Sequence, residues 1–282
     1  MEYKIKWHEW TGAAFDRAKK ESKPVFLYIT AVWCHWCHRL RDDTLNNDEI
    51  ATIIEKNFIP IRVDADRRPD INERYNMGGW PTVAVLTPDG ATITGGTYFP
   101  PNQMKTFLEN AKNFYMENKD NVHVGRYEQK KERYADLNES MVSDVLDIVV
   151  SYFDVDHGGF GNQPKFPMTE ALELLMLLHK KDKLFAKMIA LTLDKMSALA
   201  DRHAGGFFRY SVTQDWKLPH YEKMLETNAK IITNYVNGYQ LTGNANYREI
   251  AEQTISYIIN TLSDGTIFFG SQDADKEEEY YG

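Results

Sequence analysis

The stretch Ala31-Val32-Trp33-Cys34-His35-Trp36-Cys37-His38 limits what this chain can fold into more than any other. It holds both cysteines of the 282-residue sequence, two of its eight histidines and two of its six tryptophans. An apolar, strand-like run, Pro24-Val25-Phe26-Leu27-Tyr28-Ile29-Thr30, precedes it, and Arg39-Leu40-Arg41-Asp42-Asp43 after it reads as the body of a helix. A Cys-x-x-Cys at a strand-to-helix junction is the layout of a thiol–disulfide site. Unpaired amides and the positive dipole end of the helix would favour the thiolate of Cys34 over the thiol.

The order of the remaining segments in the first half builds a mixed sheet around that stretch. A helix capped by Thr11 is expected over residues 11–21, and a second begins at Asn46-Asn47-Asp48-Glu49 with Ile50, Ile53, Ile54 and Phe58 as its apolar positions. Phe58-Ile59-Pro60-Ile61-Arg62-Val63-Asp64 reads as a strand, and Pro69 opens a short helix through Tyr75. After Gly78-Gly79-Trp80-Pro81-Thr82 come a strand, Val83-Ala84-Val85-Leu86, a turn at Pro88-Asp89-Gly90 and an antiparallel return, Ala91-Thr92-Ile93-Thr94. A helix over residues 101–118 closes the unit. Helix–strand–helix–helix–strand–helix–strand–strand–helix around about four strands is thioredoxin topology. In that topology Pro81 is expected to hold the place beside the dithiol where an X-Pro bond adopts cis, rather than to be an ordinary trans proline opening a strand, which leaves the backbone of Trp80, with Gly79 beside it, to pair with a substrate peptide.

Residues 119–138 are charged and poorly periodic and read as a linker, or the overhang of a long helix, between a first domain, 1–118, and a second, 139–282. The second carries helical periodicity over 141–153, 168–181, 184–200, 225–241 and 245–262. Gly- and Phe-rich loops recur between the helices: Asp156-His157-Gly158-Gly159-Phe160-Gly161, Ala204-Gly205-Gly206-Phe207-Phe208 and Asp264-Gly265-Thr266-Ile267-Phe268-Phe269. That weak repeat predicts an all-α domain of stacked hairpins, each closed by a short extended turn. A net charge of −8 argues against nucleic acid or an anionic membrane surface as partner. No segment approaches the roughly 18–20 apolar residues that span a bilayer. Met1-Glu2-Tyr3-Lys4-Ile5-Lys6 lacks the apolar run of a secretory signal, so reactive thiols in a reducing, cytoplasmic setting are expected.

Three chemistries compete for Cys34 and Cys37. In a redox dithiol Cys34 attacks a disulfide and Cys37 resolves the mixed disulfide. Cys34-His35-Trp36-Cys37-His38 also fits the haem-attachment pattern C-x-x-C-H, although the strand-to-helix setting does not favour it. Two thiols with His35 or His38 do not complete a structural zinc site, so neither a metal nor another cofactor is expected. His35 is either a cation that depresses the Cys34 pKa or an exposed turn residue. Trp33 and Trp36 are read as a flat apolar collar for a peptide substrate. Tyr28 stands where thioredoxins carry a buried Asp, so either another base, such as His38 or Asp64, takes the resolving thiol's proton or the dithiol turns over differently.

Long motifs carry a family resemblance across nearly the whole chain. In the first half they are Trp33-Cys34-His35-Trp36-Cys37-His38, Val63-Asp64-Ala65-Asp66-Arg67-Arg68-Pro69-Asp70-Ile71, Gly78-Gly79-Trp80-Pro81 and Gly96-Thr97-Tyr98-Phe99-Pro100-Pro101. In the second they are Gly158-Gly159-Phe160-Gly161-Asn162-Gln163-Pro164-Lys165-Phe166-Pro167, Pro219-His220-Tyr221-Glu222-Lys223-Met224-Leu225 with Asn228-Ala229, and Ser271-Gln272-Asp273-Ala274-Asp275. The chain resembles the spermatogenesis-associated protein 20 (thioredoxin domain-containing) family. The resemblance implies a thioredoxin-like domain followed by an (α/α)6 barrel similar to those of sugar 2-epimerases and six-hairpin glycosidases. Two departures accompany it. The segment between Arg68-Pro69-Asp70 and Gly78-Gly79-Trp80 is shorter than the family's, which would open the wall beside Pro81. About five barrel helices are present where the family continues with as much again, so a partial barrel is expected to self-associate, to be completed by a separate chain, or to be a truncation.

The expected activity is thiol–disulfide exchange on protein or small-molecule disulfides, recycled by an external reductant. The alternative is a carbohydrate- or partner-binding α/α scaffold with a regulatory or vestigial dithiol. For it the second domain offers Asp156, His220, Glu222, Lys223, Asp273 and Asp275, with Asp154 and Asp215 nearby, as polar groups able to work on a sugar or simply to tie loops together.

Overall fold

The computed structural model describes residues 4–118, 138–180 and 182–274. The chain divides into two compact units, Met1–Arg133 and Tyr134–Gly282. The boundary between them falls inside the expected linker, whose residues 119–137 lie outside those described, as does Asp275.

In the first unit, α1 (Gly12–Glu21) starts where the Thr11 hydroxyl accepts from the Ala14 amide, as its sequence predicts. The strands β1 (Val25–Thr30) and β2 (Ile59–Asp64) pair in parallel. β3 (Thr82–Leu86) pairs antiparallel with β1 on its other side, and β4 (Thr92–Gly96) forms the antiparallel edge. The sheet order is therefore β2-β1-β3-β4. β1 and β3 are apolar without alternation because both of their faces are covered, whereas β4 is only half-buried. Between these strands run α2 (His35–Arg39), α3 (Asp48–Asn57, capped by the Asn47 side chain) and α4 (Pro69–Tyr75). α5 (Pro101–Asn118) follows the edge strand and buries Met104, Leu108, Ala111 and Tyr115 at helical spacing. Phe26, Tyr28, Val83 and Val85 share one sheet face and pack with Leu40, Ile54, Met104 and Leu108. Each such aliphatic side chain contributes about 1.5–3 kcal/mol by leaving water. The expected helix after the cysteines is present in two parts: α2 widens into a π-turn over Leu40–Leu45, with the Asn46 amide donating to the Arg41 carbonyl at 2.9 Å.

The second unit is built of helices: α6 (Glu139–Ser151), α7 (Thr169–Leu178), α8 (Lys183–Met196), α9 (Leu225–Thr242) and α10 (Ala245–Thr261). α7 stops three residues before its expected end, and a 3₁₀ turn over Ser197–Leu199 finishes the segment begun by α8. Short pairs join β5 (Tyr210–Ser211) to β6 (Pro219–His220) and β7 (Lys223–Met224) to β8 (Ser271–Gln272). Gly238 lets α9 approach α8, since a Cβ there would meet Leu193 Cδ1 at 2.4 Å.

The loop repeat is a repeated hydrogen-bond pattern. Asp154, Asp201 and Asp264 each accept two amides from the next three residues: those of Asp156 and His157, of His203 and Ala204, and of Thr266 and Ile267. Bridges Phe153–Phe160, Ala200–Phe207 and Ser263–Phe268 close the three turns. In the first two a lysine that is wholly out of solvent completes the carboxylate. Lys165 donates to Asp154 at 2.6 Å and to the Gly161 carbonyl at 2.8 Å, and Lys223 donates to Asp201.

Removing one ion of such a pair strands the other. Lys223→Ala is expected to lower the stability of the second unit by about 3–5 kcal/mol, read as a shift of its urea midpoint. Burial alone would raise the carboxyl pKa values of Asp154 and Asp201, but the hydrogen bonds from Lys165 and Lys223 and the turn amides bring both below the ordinary range. Their contribution is therefore complete above about pH 4 and is lost as the pH falls through the depressed native values. Urea titrations at descending pH should show the second unit losing stability below about pH 4, and losing less of it in Asp154→Asn.

Candidate active site

Strand register gathers the first unit's chemistry at one end of the sheet. Ile29 lies opposite Thr82 and Thr30 opposite Asp64. The loop that leaves β1 (residues 31–34), the loop that leaves β2 (65–68) and the loop that enters β3 (77–81) therefore meet. Cys34 is the N-cap of α2, with extended backbone. Its sulfur accepts from the Cys37 amide at 3.1 Å and its carbonyl from the His38 amide at 3.2 Å. The two cysteines form a disulfide with Cα atoms 5.3 Å apart, and in this state Cys34 is 5% and Cys37 1% exposed. The amide aimed at the Cys34 sulfur is positioned to stabilise a thiolate there once the disulfide is reduced.

The aromatic collar divides in two. Trp36 is 46% exposed, with its ring edge-on to His35 at 5.4 Å and to Tyr98 at 5.2 Å. Trp33 is 4% exposed and not part of an open collar, which corrects the sequence expectation. It is drawn inward because its indole N–H reaches the Asp66 carboxylate at 3.0 Å and its ring packs edge-on against Trp80 at 5.4 Å. Trp80 is half-buried. The Trp80–Pro81 bond is cis, as its place in the topology predicts, and a second cis bond, Gln163–Pro164, was not signalled. Thr82 ties this loop to itself, its hydroxyl donating to the Gly79 carbonyl at 2.8 Å and accepting from the Met77 amide at 3.0 Å.

Tyr28 fills the place of the buried acid. Its hydroxyl donates to the Cys37 carbonyl at 3.0 Å, from a ring only 1% exposed. Asp64 is engaged in its own turn, accepting the Asp66 and Arg67 amides at 2.9 and 3.3 Å. His38 lies half-buried in α2. Asp66 and Asn72, which accept from the Trp33 and Trp80 indoles, and Tyr98, which meets Trp36, were not singled out in the sequence. The first and last lie inside quoted motifs, but nothing in spacing alone says that they point at a tryptophan.

In the second unit the expected His-Tyr-Glu-Lys cluster separates by strand alternation. His220 and Glu222 share one face. Glu222 is buried and binds His220 Nδ1 and Arg209, the latter at 3.1 Å. Burial pushes the Glu222 carboxyl up, and the hydrogen bond and charge of His220 with the Arg209 charge pull it further down, leaving it below the usual carboxylate range. The His220 ring stacks on Tyr210 at 4.9 Å, and Tyr210 on Phe166 at 4.6 Å. Burial pushes the Tyr210 phenol up to about 12. Lys223 points the other way, into its pair with Asp201. Asp156 lies exposed at a turn, and Asp273 is half-buried after β8. Among the described residues of that expected set, His220 and Glu222 are joined, while Lys223 pairs with Asp201 instead. No group of three or more His, Cys, Asp or Glu among the described residues is arranged to hold a metal ion. No helix among them is long and apolar enough to cross a membrane.

A four-stranded mixed sheet with a Cys-x-x-Cys capping the helix after its central strand defines a thioredoxin-like dithiol protein. The chain belongs to the Thioredox_DsbH family, described as a protein of unknown function, DUF255, whose family model matches residues 1–145. It is similar to spermatogenesis-associated protein 20 of Mus musculus, 33% identical over a gapped alignment of 310 residues that covers 98% of this chain and 39% of that protein. The chain thus spans about two fifths of the length of that curated relative. It is also similar to the disulfide bond reductase DsbH of Chlamydia pneumoniae, 20% identical over 101 residues, 32% of this chain and 60% of that one. Among solved structures, cellobiose 2-epimerase from Bacillus thermoamylovorans B4167 is similar at 12% identity and a TM-score of 0.42, over 49% of this chain and 42% of that chain.

Tyr28→Phe keeps the ring and removes the hydroxyl that braces the Cys37 carbonyl. The first unit should lose about 1–2 kcal/mol, measured by urea unfolding of the oxidised protein.

Proposed function

We propose that the protein is a thiol–disulfide oxidoreductase acting on protein or small-molecule disulfides from a reducing, cytoplasmic setting. The observation that carries this reading is Cys34 at the helix cap, its sulfur facing the Cys37 amide and bonded to the Cys37 sulfur. The Chlamydia pneumoniae relative is named a disulfide bond reductase, which supports the same direction of electron flow.

In the reduced protein the Cys34 thiolate attacks one sulfur of a substrate disulfide. The substrate S–S bond breaks, one substrate thiolate leaves and takes up a proton, and a mixed disulfide to Cys34 forms. Cys37 then loses its proton and attacks the Cys34 sulfur. The mixed disulfide breaks, the second substrate thiol departs with a proton, and the Cys34–Cys37 disulfide remains. Two electrons and two protons from an external thiol reductant return the dithiol. Substrate has been reduced by two electrons and the protein oxidised by two. In this scheme Trp80 and Pro81, with Gly79, form the platform for substrate backbone, and Trp36 with Tyr98 the exposed apolar edge beside Cys34.

The expected outcome is that wild type reduces a peptide disulfide while Cys34→Ser is at least about 100-fold slower. Cys37→Ser should accumulate a mixed disulfide with substrate on Cys34, visible by intact-mass spectrometry and lost on adding dithiothreitol. Equal reduction by wild type and Cys34→Ser would overturn the dithiol mechanism.

A further inference from the structure

The loop that enters β3 contains two adjacent glycines, and Gly78 adopts a φ of +97° that side-chain-bearing residues avoid. Such a backbone does not hold a bulky indole in one place unaided, yet Trp80 is fixed on two sides. Its ring packs edge-on against Trp33, itself held by Asp66. Its indole N–H donates to Asn72 Oδ1 at 3.0 Å. The same oxygen accepts from the Asn76 side-chain amide at 3.0 Å, and Asn76 in turn accepts the Gly78 amide at 2.7 Å. The Asn76 amide also donates to the Asn72 carbonyl at 2.9 Å. Asn72 on α4 and Asn76 just after it, four residues apart on one helical face, thus brace both the glycine hinge and the indole.

We propose that Asn72 is a positioning residue that makes this site selective for peptide disulfides over small ones. The inference rests on the oxidoreductase reading and deepens it. A peptide bound through its disulfide to Cys34 must also lie along the residues 77–81 loop, so part of its binding depends on how well that loop is held. A small disulfide reaches Cys34 without touching the loop. Loss of the Asn72 acceptor frees the indole and the hinge together, and weakens only the substrate that uses them. Neither the thiol chemistry of Cys34 nor the Cys37 resolving step involves Asn72.

The test is single-turnover oxidation of the reduced protein by a peptide carrying one intrachain disulfide and, separately, by hydroxyethyl disulfide. In Asn72→Ala the half-saturating peptide concentration should rise about five- to tenfold, the loss of one hydrogen bond, with the limiting rate unchanged. The rate with hydroxyethyl disulfide should stay at the wild-type value. Asn72→Asp keeps an acceptor for the Trp80 N–H and should restore peptide binding to within about twofold. Where the alanine variant does not fold, Asn72→Leu fills the same volume without an acceptor and should give the same split. Equal slowing of both substrates, or an unchanged peptide half-saturation, overturns the proposal while leaving the oxidoreductase reading intact. A wild type that oxidises with neither substrate overturns both.

Discussion

The pairing of the central strand with its two neighbours is the constraint on which the rest of the first unit depends. β1 is parallel to β2 and antiparallel to β3, so the ends of β1 and β2 and the start of β3 fall on the same edge of the sheet. A one-residue slip would turn Phe26 and Tyr28 to the opposite face and carry Cys34 away from the loop that holds Pro81. The continuous apolar character of β1 and β3 demands a covered layer on each side, and the unequal side chains that fill the two layers hold the register. The cysteine pair is thus placed by hydrophobic burial, with the Cys34 sulfur facing the Cys37 amide at the start of the helix it caps.

Tryptophans do structural work in this site that their exposure in simpler pictures would not suggest. The loop after β1 and the loop before β3 touch through Trp33 and Trp80, and each indole N–H finds an acceptor in a neighbouring segment, Asp66 or Asn72. An indole is large enough to fill the gap between loops and carries one donor that must be satisfied where it is buried. That combination converts three separate loops into one connected surface. Trp36 and Tyr98 are left at its rim, the one part of the collar that faces water.

The second unit solves a different problem with a repeated device. Each hairpin of helices has to close through a turn whose backbone amides point inward, and an aspartate carboxylate gathers two of them each time. In two of the turns a carboxylate this deep needs a countercharge, and Lys165 and Lys223 supply it from residues 11 and 22 positions downstream. The unequal spacing hid the pairing from a reading based on periodicity. The same device explains why Lys223 is not available to His220 and Glu222: in an extended run, neighbours in sequence face opposite ways.

Local chemistry was legible in the chain because it depends on neighbours in sequence. The strand before Cys34, the helix it caps, the Thr11 cap, the helix start near Asn47, the Gly-Gly turns and the place of Pro81 all follow from spacing over a few residues. The motifs also revealed the two-part architecture, since a dithiol between strand and helix and a recurring Gly-Phe loop belong to different layer patterns. Burial of Trp33, the acceptance of its proton by Asp66, the brace made by Asn72 and Asn76, the Tyr28 hydroxyl beneath Cys37 and the Asp–Lys pairs were decided only by tertiary structure. Each joins residues whose proximity comes from sheet register or helix packing, and side-chain direction there is set by which face is buried. The sequence by itself determined that two cysteines would meet at the start of a helix; the packed fold decided which side chains hold the surface around them.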